Sequence, residues 1–550
     1  MISRRAFLAG SVAVAVGACS SSTPTATAPA STGSAALEPT TAAASATAAV
    51  AAETTDAPTQ AATTEPAPTT RPGPPEYSGS DDPFTLGVAS GDPTGESVVH
   101  WTRLLPAGAP LTDSVTVRLE VFGDIDLSVV VDTQSLVTDG DVAHSIHALT
   151  TGLEPDTWYW YRFKSGEWSS PVGRSRTTPA AGDSPGQLVV GSASCQNWED
   201  GFYTAHADIA AAGLDLVAWL GDYIYEGAAG TVGQGGAVRT HGAPEPKTLD
   251  EYRARYALYK SDPNLQAAHA ACPWLVIWDD HEVENNYAGN IAQDGTPLNE
   301  RRAAAYRAWW EHTPTALEAP TTADMKIYRG FQWGTLVDMS LLDTRQYRTD
   351  QACGDAVLQT TPPCPEVFDA DRTLMGAEQK QWLYDRLGKG GATWNVLAQQ
   401  VIMANSNLNG AILNFDQWDG YPAERDALLK HVADAKIPNF VVLSGDIHFA
   451  AVGNLLLPGT SDTVVGSEFI DTSISSGGNV DPAFVDVVKG IPGVVDAELL
   501  HRGWTKHTVT PTTWMAEYRI VDNALVPTST VSTSGTYVID AGTPGVRPSI

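Results

Sequence analysis

The chain has 550 residues, is 43% apolar with 16 tryptophans, and carries a formal net charge of −31. That length exceeds one ordinary domain, so two folded domains with appendages are expected. The charge excludes specific nucleic-acid recognition, which needs a basic footprint, and suits solubility outside the cell.

Residues 1–19 read as a targeting signal. Arg4 and Arg5 precede Ala6-Phe7-Leu8 and a small-residue apolar stretch from Ala9 to Ala18, too short to span a membrane comfortably. The arginine pair is similar to a bacterial twin-arginine export signal. Val16-Gly17-Ala18-Cys19 reads as a lipoprotein cleavage box with Cys19 as the lipid-bearing residue, simple secretion being the alternative. Residues 20–82 are almost entirely Ala, Thr, Ser, Pro and Glu, a composition that cannot bury a core and is expected to be disordered. As a flexible coil it would span roughly 45 Å and tether a domain away from a membrane.

Residues 83–178 read as an all-β module. Val98–Arg103, Val115–Phe122 and Trp158–Phe163 alternate or cluster as strands, with turn residues between them, as in a β-sandwich. Gly152-Leu153-Glu154-Pro155-Asp156-Thr157-Trp158-Tyr159 resembles a segment of fibronectin-type-III or immunoglobulin-like modules.

Residues 186–550 alternate strands with helices. Helices are expected over Tyr203–Ala212, Leu249–Tyr259, Glu300–Glu311, Ala377–Leu387 and Arg425–Ala435, with strands at Leu336–Leu342 and Trp394–Leu397. This is an α/β pattern of two mixed sheets flanked by helices. Trp514–Ile520 and Gly535–Ile539 are expected to finish the second sheet as antiparallel strands.

Four apolar runs end abruptly in metal-type donors: Leu188–Gly191 before Ser194-Cys195-Gln196, Leu214–Leu220 before Gly221-Asp222, Trp274–Trp278 before Asp279-Asp280-His281, and Phe440–Leu443 before Gly445-Asp446-Ile447-His448. Ligands in open α/β sheets bind beyond the carboxyl ends of strands, so these ends should converge on one crevice. A carboxylate after Gly221 can bridge two cations. Tyr225, three residues on, can place a phenolate on the same ion, which demands a strongly acidic cation such as Fe³⁺. Asp446 and His448, spaced i, i+2, can share a face. One iron is therefore expected on Cys195, Asp222, Tyr225 and His448. A second, oxygen-rich site on Asp222, Asp280 and Asp446 favours Ca²⁺, ahead of Mg²⁺ or Mn²⁺. Asp279 and Asp280 compete for the ligand role, and Asp280 is favoured. Cys353 and Cys364 flank a Pro-rich loop and are expected to form a disulfide after export, with Cys272 a core thiol.

Together Ser194-Cys195-Gln196, Gly221-Asp222-x-x-Tyr225, Trp278–Tyr287, Leu342–Arg348 and Ser444-Gly445-Asp446-Ile447-His448 resemble the PhoD family of alkaline phosphatases and phosphodiesterases. The resemblance implies a four-layer α/β fold of the calcineurin-like metallophosphoesterase type, preceded by a β-sandwich, and a calcium- and iron-dependent phosphoesterase. Against the wider calcineurin-like pattern, Cys195 stands for a carboxylate, Asp280 for an asparagine and Asp446 for a histidine. His281 is expected to protonate the leaving group. Arg345 is expected to hold phosphate oxygens, an ion pair with Asp343 being its structural alternative, and Arg348 is a weaker candidate. Asn285, Trp418, Asp419 and Tyr421 are expected at the pocket mouth. Expected substrates are small phosphate esters or a phosphodiester polymer. The alternatives are a phospholipase D, a teichoic-acid-type diesterase, or an inactive surface-anchored binding protein. The expected protein is an exported monomer, extracellular or held to the cell surface by lipid alone.

Overall fold

Alternating burial builds the first module. Its strands are β1 (Val88–Gly91), β2 (Ser97–Arg103), β3 (Val115–Phe122), β4 (Val130–Thr138), β5 (Ser145–Thr151), β6 (Trp158–Ser165), β7 (Trp168–Ser169) and β8 (Gly173–Arg176). In β3 and β6 every second side chain is buried, the period of a sheet with one wet face. Val117, Leu119, Val121, Tyr161 and Phe163 pack on Val98, Ile146 and Ala148. The computed structural model describes residues 73–107, 110–230, 237–354, 363–406, 412, 414–478 and 481–549. The expected export signal, Cys19 and residues 20–72 lie outside the described residues. The expectation of disorder up to residue 82 is corrected from Pro74 onward. The Thr116 amide donates to the Pro75 carbonyl (2.9 Å), and Tyr77 is buried with its amide on Ser165 Oγ (2.8 Å). An aromatic residue at the end of the low-complexity stretch finds a place in the sandwich core.

Only one half of the sandwich is a separate sheet: β4, β3, β6 and β7 in order, with β8 on β6. The other half, β1, β2 and β5, is continuous with the following domain, because β1 pairs in parallel with β11 (Trp274–Val276) at Gly91 opposite Trp274. Gly91 permits this approach, since a Cβ there would stand 2.6 Å from the Trp274 carbonyl and closer still to that of Pro314.

The first large sheet is centred on the parallel trio β9 (Leu188–Ala193), β10 (Leu216–Trp219) and β11. The second contains β12 (Arg329–Trp333), β13 (Val337–Leu341), β14 (Trp394–Ala398), β15 (Phe440–Ser444), β16 (Ala450–Leu456), β17 (Val464–Ile470) and β18 (Val494–Glu498), in the order β12-β13-β14-β15-β17-β16-β18. The expected helices are α1 (Thr204–Ala211), α2 (Leu249–Lys260), α4 (Asn299–His312), α5 (Gly376–Leu387) and α6 (Pro422–Asp434). Between α2 and α4 lies α3 (Pro263–Ala271), not expected from the sequence although Asp262 caps it and Pro263 opens it. A short α7 (Val485–Lys489) follows β17. Trp219, Trp274, Trp333, Trp394, Trp504 and Trp514 share one core with side chains of both large sheets. Cys353 and Cys364 are disulfide-bonded, and Cys272 is a buried thiol.

The C-terminal strands correct one expectation. β19 (Arg502–Val509), β20 (Thr513–Val521), β21 (Val531–Asp540) and β22 (Arg547–Pro548) extend the first sheet, not the second. β19 pairs antiparallel with β9, Thr505 opposite Ser192. That edge of the parallel trio would otherwise be open, whereas the corresponding flank of β15 is covered by β17, β16 and β18.

Candidate metal centre

The four donor-bearing strand ends meet where the two large sheets come together. Ser194, just past β9, bridges to Ser473 past β17, and the Ile474 amide donates to the Ser194 carbonyl (3.0 Å). Two glycines allow the close approach. A Cβ on Gly221, whose φ is +112°, would stand 2.5 Å from Asp279 Cβ; one on Gly445 would collide with Ser194 Oγ. The donor residues themselves turn sharply: Cys195 (φ 61°), Asp222 (58°), Asp446 (66°) and His448 (59°) all occupy the left-handed region. Non-glycine residues adopt it at a cost of about 1–3 kcal/mol each, and such strain clusters at functional sites. Gly221→Ala is therefore expected to lower stability by at least about 1 kcal/mol and to displace Asp279, read by thermal unfolding beside metal content.

Three overlapping donor sets result. Cys195, Asp222 and His448 offer ligand atoms within 4.8 Å of one another; so do Asp222, Asp280 and His281, and likewise Asp279, Asp280 and Asp446. Asp222 belongs to the first two sets and Asp280 to the last two. The Tyr225 hydroxyl lies 2.8 Å from Asp222 Oδ2, 2.9 Å from His448 Nε2 and 2.8 Å from Ser476 Oγ, which places it in the first set. His448 Nδ1 faces the Gly477 carbonyl at 2.6 Å. A carbonyl only accepts, so Nδ1 carries the hydrogen and Nε2 presents its lone pair to the donor set.

The electrostatics call for cations. Asp222, Asp279, Asp280, Glu282 and Asp416 are buried, and Asp446 is nearly so. Burial, with the charges of Asp280 and Asp279, pushes the Asp222 carboxyl well up. Burial with Asp416 and Asp280 raises Asp446 to about 6. Burial raises Asp280 too, but Arg345 and His281 outweigh it and hold that group below the usual carboxylate range. The Tyr225 phenol is pushed up by burial and by the anions beside it, so only a strongly acidic cation in the same pocket would ionise it. Burial lowers His448 to about 3, leaving a neutral imidazole ready to ligate. Asp222 Oδ1 and Asp280 Oδ1 are buried with no hydrogen-bond partner. Such orphans are rare in folded proteins and mark a place for an ion. The donor set therefore fits metal ions.

The structure brings Cys195, Asp222, Tyr225, Asp280, Asp446 and His448 together, with His281 beside them. His281 stacks on Tyr225 at 4.0 Å, and its Nδ1 lies 2.7 Å from Glu226 Oε2. Asn285 sits beside His281, its amide on Glu226 Oε1 (2.8 Å) and its side chain turned to Gln293. Arg345 departs from expectation. Its side chain is fully buried, with Nε on Asp279 and Nη1 on Asp416 (2.7 Å), and Nη2 3.6 Å from Asp280 and 3.5 Å from Asp446. Nε and Nη1 brace two carboxylates, while Nη2 is buried without a hydrogen-bond partner and faces Asp280 and Asp446. Asp343, the ion-pair partner weighed from the sequence, instead accepts the Arg345 backbone amide at 3.0 Å. Arg348 is likewise committed to Asp416.

Trp418, Asp419 and Tyr421 are corrected as mouth residues. Trp418 is buried with its indole N–H on Gln399 Oε1 (2.9 Å), Asp419 is paired with Arg425, and the Tyr421 hydroxyl donates to the Thr349 carbonyl (2.6 Å). The same loop reaches the site through Asp416, which pairs with Arg345, and Gln417, whose amide donates to Asp446 Oδ2. Sequence reading also missed Glu226 and Glu282. Glu282 accepts the amides of Asp222 (3.1 Å), Tyr223 (2.6 Å) and Asp279 (2.8 Å) and so fastens two donor loops together. Both glutamates sit within motifs already singled out, one after Tyr225 and one after His281, and their charge was the available signal.

Paired mixed sheets flanked by helices, with oxygen, nitrogen and sulfur donors at their strand ends, form a crevice suited to metal ions. The PhoD-like phosphatase profile matches residues 188–518, and that of the PhoD-like phosphatase N-terminal domain matches residues 68–179. The chain belongs to the PhoD-like phosphatase family, hydrolases of phosphoric ester bonds. It is 44% identical over 485 residues to alkaline phosphatase D of Bacillus subtilis (strain 168), covering 85% of this chain and 82% of that one. A solved structure described as that of PhoD superposes with a TM-score of 0.82 at 43% identity, covering 86% of this chain and 93% of the other.

Proposed function

We propose that this chain is an exported, metal-dependent phosphoesterase of the alkaline phosphatase D type, acting on small phosphate esters or a phosphodiester polymer. The observation that carries this reading is the run of donor sets joined through Asp222 and Asp280. Family membership and the 44% identity support it. On donor chemistry, Fe³⁺ is assigned to Cys195, Asp222, Tyr225 and His448, and Ca²⁺ to Asp222, Asp280 and Asp446, with Mg²⁺ or Mn²⁺ second. Bound cations of this kind neutralise phosphate oxygens and make water a better nucleophile for in-line displacement.

The protein groups supply the rest. Arg345 keeps Asp279, Asp280 and Asp446 in register. His281, held in the charged form by Glu226, Asp280 and Asp222 against the opposing effect of burial, can donate a proton to the departing alkoxide. Glu226 fixes the orientation of that imidazole. Glu226→Gln is thus expected to lower kcat about tenfold or more with metal content retained. Because Glu226 raises the His281 pKa, the alkaline limb of the kcat profile should move to lower pH; an unmoved limb would remove His281 as the acid. The arginine pair at Arg4-Arg5 supports export by the twin-arginine route, with Cys19 as a lipid attachment point, and we read the working unit as a monomer.

Hydrolysis of p-nitrophenyl phosphate and bis-p-nitrophenyl phosphate tests the reading. Activity should vanish in strong chelator and return with Ca²⁺. Full activity in chelator would contradict the calcium assignment.

A further inference from the structure

The other guanidinium groups around the donor sets are held by buried acceptors, although Nη2 of Arg345 and of Arg348 has no hydrogen-bond partner. Arg345 and Arg348 are taken by carboxylates, and Arg255 clamps the carbonyls of Tyr225, Gly227 and Pro244. Arg502, the first residue of β19, is different. It is half-buried and makes no ion pair among the described residues, where its hydrogen bonds are two long ones from Nη1, at 3.4 Å to the carbonyls of His448 and of His501. Nε and Nη2 have no partner among the described residues. Asp200 and Glu498, carboxylates of opposite sign in its neighbourhood, bond to other groups: Asp200 Oδ2 accepts the Gly477 amide, and Glu498 accepts the amides of Leu500 and His501. Its Nη1 contact with the His448 carbonyl puts Arg502 beside the first donor set. Gly478 leaves room for it, since a Cβ there would stand 2.8 Å from Arg502 Nη2.

A phosphate-bearing substrate approaching a chain of net charge −31, through a crevice lined with acids, needs a positive landing point besides the cations. We propose that Arg502 forms an anion subsite on the His448 side of the metal centre, receiving phosphate oxygens of the substrate on Nε and Nη2. Those two N–H groups form one edge of the planar fork that matches a phosphate bidentately. The inference rests on the phosphoesterase reading above and names how that site holds its substrate. The oxygens belong either to the scissile phosphate or to the next phosphate of a polymer.

Arg502→Gln, Arg502→Lys and Gly478→Ala, each loaded with metal, test this against p-nitrophenyl phosphate and a glycerol phosphate oligomer. The Gly478 variant displaces the guanidinium without removing it. Arg502→Gln and Gly478→Ala are expected to raise KM about tenfold or more, with metal content unchanged and kcat far less affected; Arg502→Lys should recover part of the loss. A rise with both substrates assigns the subsite to the scissile phosphate, and a rise with the oligomer alone assigns it to the neighbouring phosphate. Unchanged KM for both, or loss of metal and kcat with KM unchanged, would overturn the proposal. If the unsubstituted enzyme hydrolyses neither compound, it is the phosphoesterase reading that falls. Calorimetric binding of inorganic phosphate then judges the subsite alone: weaker binding by Arg502→Gln supports it, and equal affinity refutes it.

Discussion

Asp222→Asn is expected to lower kcat/KM for a phosphate monoester by at least about 10²–10³-fold, the scale of losing one group that stabilises transition-state charge, and to strip the protein of metal. Asp222 joins the Cys195 and His448 set to the Asp280 and His281 set. Its Oδ2 is held by the Tyr225 hydroxyl, while Oδ1 is buried and uncommitted. An amide keeps one weak acceptor and turns an NH₂ toward the crevice, so it cannot bridge two cations. Stability should move the other way in the metal-free state. Burial and the charges of Asp280, Asp279 and Glu282 oppose the Asp222 anion, so the neutral variant should melt no lower than the metal-free parent. Assay, elemental analysis and thermal unfolding of both proteins separate these effects. A variant that keeps its metals and turns over normally would remove Asp222 from the centre.

Arg345→Met is expected to destabilise the fold by about 3–5 kcal/mol, because it leaves buried carboxylates without their countercharge. Arg345 is fully buried and faces Asp279, Asp280, Asp416 and Asp446. Burial alone would lower its pKa, and the four carboxylates reverse this and hold it well above the usual value. Urea unfolding should show a lower midpoint with little change in slope. Adding Asp279→Asn should recover part of the loss, since the pair is then removed together. A loss below about 1 kcal/mol, the level of an exposed pair, would show that the carboxylates find other compensation.

Donors at strand ends are legible in this sequence, whereas positions on loops and at sheet edges are not. Cys195, Asp222, Asp280, Asp446 and His448 each follow a short apolar run, so a local pattern marked the strand and the topology rule located its end. Tyr225 came with Asp222 on the same turn. Trp418, Asp419 and Tyr421 lie on a loop and a short helix start with no periodic signal, and an error of one or two residues there exchanges the crevice for the core. Asp416 and Gln417 occupy the positions that matter. Arg345 was legible as important but not in its role, because a guanidinium that grips phosphate and one that grips carboxylates have the same chemistry and differ only in what surrounds them. The helix α3 had its Asp-Pro start signal in plain view at Asp262-Pro263. The placement of β19 to β21 beside β9 depends on which sheet edge stays open, which no local pattern encodes.

The central claim is that buried donors from separate strand ends hold a phenolate-bearing iron next to a second, oxygen-bound ion. Its most direct test is the visible spectrum of active, purified protein, taken with elemental analysis and compared with Tyr225→Phe. The account predicts iron and calcium in the preparation and a tyrosinate-to-iron charge-transfer band that disappears in the variant. Fully active protein that lacks iron, or a band that survives loss of the Tyr225 hydroxyl, would contradict it.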